Sequence, residues 1–264
     1  MRVLATFMQS CCFTLLIACV APPMKVTVLS YNIHHGRGAD GVIDLERIAA
    51  VITASEADVV ALQEVDVRTT RADGVDQAAE LARLTGLHAY FGEAIPYAGG
   101  SYGDALLSRF PFHQTQSLLL PAAPHHEKRV AVRGILQLPH GRRVAIIGTH
   151  LDHTEDPADR EAQARALNQA YLPASMPTLL IGDLNAQPQS TPMRTLFGHG
   201  WIAADAMHQP TFPSDAPDRK IDWILRAPGF QDSLHNAEVL YAPEASDHAP
   251  LRAIWVLGDT ISPS

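Results

Sequence analysis

The residues of this sequence that could do chemistry gather where apolar, β-branched runs stop. Val26–Tyr31 runs into Asn32, Val59–Leu62 into Gln63 and Glu64, Val144–Thr149 into His150, and Thr178–Ile181 into Gly182-Asp183-Leu184-Asn185. Ser246-Asp247-His248 stands just ahead of another such run, Leu251–Val256, and Asp222 lies inside Ile221–Leu225. Runs of this kind, bounded by Gly, Pro, Asp or Asn, predict strands. Strand ends at one edge of a sheet stack are neighbours in space, so these groups can converge on one cleft. The mixture suits phosphoester hydrolysis. A hard cation polarises the phosphoryl oxygen and neutralises developing charge. Mg²⁺ takes oxygen ligands and keeps several waters, so one or two carboxylates and an amide suffice to hold it. A carboxylate can deprotonate or orient water, and imidazoles and amides can stabilise the transition state.

Taken singly, each piece has a blander explanation. A strand-terminal Glu64 can be a solvated loop residue, Asp183–Asn185 can be a turn, and His150 can be a satisfied surface or core histidine. Asp222 is harder to dismiss, because a carboxylate between Ile221 and Trp223 that points inward needs a partner, and His248 can supply it. The joint order and the shared position at strand ends carry the weight.

Further strands are expected at Ala105–Leu107 and Val130–Leu138. Leu45, Ile48, Ala49 and Ile52 follow helical spacing with Asp44 as N-cap. A second helix is expected from Gln77 to Leu84, closed by Gly86, and a third opens at Asp156-Pro157 and runs to about Tyr171. Many strands and few helices, not strictly alternating, predict an α/β fold: a four-layer α/β/β/α sandwich. After Met24 the sequence shows no internal repeat, linker or low-complexity tract.

The chain has 264 residues, 47% hydrophobic and 18% charged, which suits one large globular domain spanning 24–264. Its net charge is −8, and its basic runs, such as Gly141-Arg142-Arg143, are short. Tight duplex DNA binding normally leaves a larger basic footprint and is not expected; a monomer acting on a phosphoester substrate is. The three cysteines, Cys11, Cys12 and Cys19, lie within the first nineteen residues, so neither disulfides nor thiol chemistry can serve the body of the fold. Val3–Val20 is mostly apolar but interrupted by Gln9, Ser10 and Thr14, a poor membrane span that fits a removed export signal better. Leu16-Ile17-Ala18-Cys19 looks like a bacterial lipoprotein box, which would place the domain at the cell envelope through a lipidated Cys19. The alternative is a true start at Met24 and a cytoplasmic protein.

Seven ordered motifs resemble the endonuclease/exonuclease/phosphatase superfamily, the DNase I-like fold. They are Ser30-Tyr31-Asn32, Leu62-Gln63-Glu64, Leu106-Leu107-Ser108-Arg109, Gly148-Thr149-His150, Gly182-Asp183-Leu184-Asn185, Lys220-Ile221-Asp222-Trp223 and Ser246-Asp247-His248. The resemblance implies a Mg²⁺ (or Mn²⁺) ion on Glu64, with Asn32 and Asp247 around it. It implies Asp183 as the residue that orients or deprotonates water, Asn185 and His150 on the scissile phosphate, and His248 held by Asp222. Arg129 is a candidate phosphate clamp, or else part of an ordinary ion pair. Two positions depart from the pattern. His34 stands where several nuclease branches carry an acid, and Asp104 where many members carry Asn. Tyr31-Asn32-Ile33-His34-His35-Gly36 looks most like a bacterial branch similar to the C-terminal domain of the calcofluor-white-hypersensitivity proteins, which implies a small or lipid-linked phosphodiester substrate. Competing functions are a metal-dependent endonuclease and a non-catalytic binding module on the same fold.

Overall fold

The computed structural model describes residues 23–258. Cys19 and the rest of the expected export segment lie outside the described residues. In chain order the elements are β1 (Met24–Asn32), α1 (Leu45–Ala54), β2 (Val59–Val67), α2 (Gln77–Thr85), β3 (His88–Tyr97), β4 (Gly100–Ser108), β5 (Phe112–Leu119) and β6 (Val130–Gln137). There follow β7 (Arg143–His150), α3 (Ala158–Tyr171), β8 (Thr178–Asp183), α4 (Thr191–Gly198), β9 (Ile202–Ala203), β10 (Asp222–Arg226), β11 (Asp232–Val239) and β12 (Leu251–Leu257). Asp44 caps α1 by accepting from the Arg47 amide at 3.0 Å, and Gly86 ends α2 in the left-handed conformation with φ +71°. Helix α3 starts one residue later than expected, at Ala158, whose amide is held by the Asp156 carboxylate at 3.0 Å.

Alternation along the strands sorts the apolar side chains into three slabs. Val26, Val28, Val59, Ala61, Leu106, Val132, Ile146, Ile181 and Trp255 meet between the two sheets. Leu29, Tyr31, Val60, Leu62 and Leu107 face the other way and bury Ile48, Ile52 and Leu81 of α1 and α2. Ile147, Leu180, Trp223 and Leu225 do the same for Leu167, Met193 and Leu196 of α3 and α4. Each Val, Leu, Ile or Met among them contributes about 1.5–3 kcal/mol on full burial. Helix, sheet, sheet, helix is the expected four-layer α/β/β/α arrangement.

The two sheets share one strand layout. The first runs β11-β12-β1-β2-β4-β3 and the second β5-β6-β7-β8-β10-β9. In each, a hairpin flanks a parallel pair, and a second hairpin follows on the other side. The sequence shows no repeat, yet the backbone carries one. The parallel pairs, β1 with β2 and β7 with β8, place Asn32 beside Gln63 and His150 beside Asp183. Two pairs of strand ends therefore open at one edge of the stack.

The second pair is closed by an absent side chain. A Cβ on Gly182 would lie 1.8 Å from the Thr149 carbonyl oxygen, so a larger residue there must push β8 off β7 beside the His150–Asp183 pair. Gly182→Ala is expected to destabilise the fold by about 1–3 kcal/mol. Gly198→Ala, with open space around its Cβ, should stay within ~0.5 kcal/mol of the parent. Denaturant melts of the two variants check this; equal stabilities would show that the strands part at no cost.

Candidate active site at the sheet edge

Asn32, at the end of β1, is fully buried and joins the two halves. Its Nδ2 donates to Glu64 Oε1 at 3.1 Å and to Asp183 Oδ2, from the other sheet, at 3.2 Å. Its Oδ1 accepts from the His34 amide at 3.0 Å, and its carbonyl accepts from Ser246 Oγ at 2.7 Å. Ser246 thereby pins the Asp247-His248 segment to the end of β1. Glu64 sits in a bulge of β2, between Leu62 and Val65, with φ +59°. An extra residue in a strand re-aims its side chain, and here it turns the Glu64 carboxylate toward the open edge. The chain after Asn32 makes a 3-10 turn over His34–Gly36, with φ +46°, +45° and +80° in succession. Its two imidazoles stand 4.6 Å apart, with His35 Nδ1 4.0 Å from Glu64 Oε2 and His34 Nδ1 3.7 Å from Asp247 Oδ1. Burial alone would raise the Glu64 pKa. The His35, His150 and His34 imidazoles and the Asn32 amide outweigh it and hold the carboxyl below the ordinary range.

The other half is drier. Asp183 is 1% exposed. Its Oδ1 accepts from the Asn185 amide at 2.9 Å, so Asp183–Asn185 is a turn and part of the site at once. Its Oδ2 lies 3.4 Å from His150 Nε2 and 3.5 Å from His248 Nε2. Burial and the nearby Asp222 push Asp183 up to about 7 against the pull of His248. Asp222, the first residue of β10, lies in register with Asp183 and holds His248 Nδ1 at 3.0 Å and 3.3 Å through its two oxygens. Burial works against a charged His248, but Asp222 and Asp183 prevail and raise it to about 10. His150 goes the other way, pushed well below its ordinary value by burial and by Arg129. The site thus holds one imidazole neutral and another cationic, each set by its neighbours.

The expected site residues Asn32, Glu64, Asp183, Asn185, Asp222, His150, His248 and Asp247 all come to this edge. Arg129 comes too, but from behind. It is 3% exposed, with Nη1 on His150 Nδ1 at 3.2 Å and on Glu127 at 3.0 Å, and Nη2 on His153 Nδ1 at 2.9 Å. In this position it orients His150 and supplies positive charge to the floor of the site. Asn185 Nδ2 lies 2.9 Å from His150 Nε2 and donates to the Leu151 carbonyl at 3.0 Å. Asp104 is 3% exposed, and burial pushes its pKa well up against the opposing charge of Arg129. In the neutral form that this favours, Asp104 can donate a hydrogen bond as an Asn amide does, which reconciles the acid with its place beside Glu64 and Asp183.

Sequence reasoning gave no role to His35, His153 or Phe212, whose ring lies 4.6 Å from that of His248. The His34-His35 doublet was a signal for the first, and the three-residue spacing from His150 for the second. Nothing marked Phe212. A cavity of about 700 Å³, lined by Leu172, Pro173, Pro228 and Phe230 among others, lies where α3, α4 and β10 end, away from these groups.

Comparison with known proteins agrees with this geometry. Residues 29–248 match the Endonuclease/Exonuclease/phosphatase family. The uncharacterised protein YbhP of Escherichia coli (strain K12) is 27% identical over 240 residues, covering 86% of this chain and 94% of its own. Among solved structures, an endonuclease/exonuclease/phosphatase from Beutenbergia cavernae superposes with a TM-score of 0.72 at 26% identity, covering 89% of this chain and 72% of that one. The mannosyl-6-phosphatase of Bacteroides thetaiotaomicron VPI-5482 does so with a TM-score of 0.72 at 16% identity, covering 88% of this chain and all of its own. With the family matched over residues 29–248 and its fold in place, this chain belongs to the endonuclease/exonuclease/phosphatase family, whose members are generally hydrolases of phosphoester bonds.

Proposed function

We propose that the protein is a divalent-cation-dependent phosphodiesterase acting on a small organic phosphodiester, free or lipid-linked. One observation carries this: the Asp183 carboxyl, buried and raised toward neutrality, stands within 3.5 Å of Asn32 Nδ2, His150 Nε2 and His248 Nε2. A base poised near the working pH, with an amide, a neutral imidazole and a cationic one around it, suits water attack on phosphorus. The donor set on the open side suits a cation: an ionised Glu64, the Asp247 carboxylate and the Asn32 amide, with the buried His35 Nδ1 lacking a hydrogen-bond partner. Mg²⁺ or Mn²⁺ held there would polarise the phosphoryl oxygen and offset its charge.

The chain's own residues do the rest. A phosphoryl group entering between His150 and His248 takes over their contacts with Asp183. Oδ2 is then free to receive a proton from water, while Asn185 keeps Oδ1 fixed. His248, cationic through Asp222, stabilises negative charge and can pass a proton to the departing oxygen. Arg129 holds His150 from behind and keeps it neutral. The acidic net charge and short basic runs favour a small substrate over duplex DNA.

Hydrolysis of a panel of phosphodiesters, phosphomonoesters and plasmid DNA, with Mg²⁺ or Mn²⁺ and with EDTA, tests the proposal. Turnover should be highest on small diesters and vanish in EDTA. Robust plasmid nicking would move the substrate to nucleic acid, and undiminished activity in EDTA would remove the cation. The rate should rise with pH through about 7 as Asp183 ionises. Asp183→Asn should lose about 10²–10⁴-fold, mostly in kcat with KM little changed; a full-rate variant would exclude Asp183 as base.

Asp222→Asn should lower the His248 pKa from about 10 toward the ordinary value of 6.5, read by NMR titration of the imidazole. A raised folded pKa stabilises the fold fully below the unfolded value, and that stability is lost as pH rises through the folded one. The variant should therefore be less stable than the parent at pH 6 and converge with it above about pH 10. Identical His248 titrations in the two proteins would show that Asp222 does not hold the charge.

A further inference from the structure

The proton chemistry leaves the His34-His35 doublet unused. The turn after Asn32 throws both imidazoles back over Glu64, and His34, His35 and Glu64 each offer a ligand atom within 4.8 Å of the others. His35 is 8% exposed, and its Nδ1 has no hydrogen-bond partner. Such an atom costs roughly 1–3 kcal/mol when left unsatisfied. Gln77 fixes the turn by donating to the His35 carbonyl at 2.7 Å. The spacings are informative. His35 Nδ1 to Glu64 Oε2 is 4.0 Å and His34 Nδ1 to Asp247 Oδ1 is 3.7 Å. Both exceed a hydrogen bond and lie below the roughly 4.2 Å that spans one ion with ~2.1 Å bonds; the ligand atoms of His34, His35 and Glu64, within 4.8 Å of one another, would close in slightly to share it. A pocket of about 190 Å³ opens beside them, lined by Arg71, Tyr97 and Tyr102.

The ligand types then choose the ion. Mg²⁺ prefers oxygen and holds its waters, whereas imidazole best suits the later first-row ions, with Mn²⁺ the weakest binder of that row at a nitrogen-containing site and the one nearest Mg²⁺ in its preference for oxygen. Taking Glu64 as the cation ligand of the phosphodiesterase proposed above, we propose that His34 and His35 complete its shell and make the site selective for an imidazole-binding divalent transition ion, Mn²⁺ or a later member of the row, over Mg²⁺. Asn32 and Asp247 supply the remaining oxygens.

The test uses the full chain freed of metal and titrated with Mn²⁺ or Mg²⁺ by calorimetry, with pulsed electron paramagnetic resonance on the Mn²⁺ form. Mn²⁺ should bind at least roughly tenfold more tightly than Mg²⁺, and its spectrum should carry ¹⁴N coupling from imidazole. Asn tolerates the left-handed backbone of both positions, so His34→Asn and His35→Asn keep the turn, with circular dichroism as the folding check. Each should weaken Mn²⁺ binding by roughly tenfold or more, change Mg²⁺ binding far less, and together abolish the nitrogen coupling. Mn²⁺ bound without nitrogen coupling, or coupling that survives the double variant, would overturn the proposal while leaving hydrolysis with Mg²⁺ intact. An absence of any divalent-ion binding would overturn both this proposal and the cation-dependent function beneath it.

Discussion

Removing water from the Asp183 carboxyl is the constraint on which the rest of the site depends. A lone carboxylate at 1% exposure is costly, and every neighbour reduces that cost in a different way. Asn32 brings an amide from the opposite sheet, Asn185 gives a backbone N–H, and His248 brings a positive charge held in place by Asp222. These contacts also close the edge of the sandwich, since Asn32 is bonded to both Glu64 and Asp183. Stability and chemistry are coupled here. Removing one partner leaves the other buried and uncompensated, the situation in which a polar network loses most.

The shared strand layout explains why two chemically different half-sites meet. Each sheet delivers the ends of one parallel pair, so each offers two functional positions at the same height. In the first sheet those positions are Asn32 and the bulged Glu64, open to a cation. In the second they are His150 and Asp183, packed against Asp222, Arg129 and His248. The bulge makes the difference: it turns Glu64 toward the opening, whereas Asp183 stays in register with His150 and Asp222. One architecture used twice thus yields an anionic, accessible side and a dry side where proton affinities are pushed apart.

Much of this was legible in the sequence because the central strands are apolar on both faces and stop abruptly at polar residues. Val26–Tyr31, Val144–Thr149 and Thr178–Ile181 needed no tertiary information. The edge strands were not legible. Phe112–Leu119 is exposed along most of its length and pairs only with β6, so its His, Gln and Ser residues carry no strand signal. Asp232–Val239 lies at the other sheet's edge and is equally polar. The repeat was hidden because strand order is a property of pairing, which different side chains can satisfy equally. The role of Arg129 was hidden for a related reason: a guanidinium that orients an imidazole and one that grips a phosphate have the same sequence signature.

The direction of β1 also bears on where substrate is met. Met24 and Asn32 are the two ends of one nine-residue strand, and the steps of about 3.3 Å between them separate them by roughly 26 Å. The chain therefore enters the domain at the pole opposite the site. Were Cys19 lipidated, the chain between it and Met24 could span at most about 18 Å, and the tether would leave from that far pole. The site would face away from the anchoring bilayer, or sideways if the domain lay down on it. A substrate in the same membrane would have to reach up to it, whereas a soluble diester, or a headgroup presented by a facing surface, would meet it directly. A lipid anchor and a lipid substrate are thus separable ideas: with the site at the far end of β1, an anchor on the chain before Met24 would not of itself require a substrate in the same membrane.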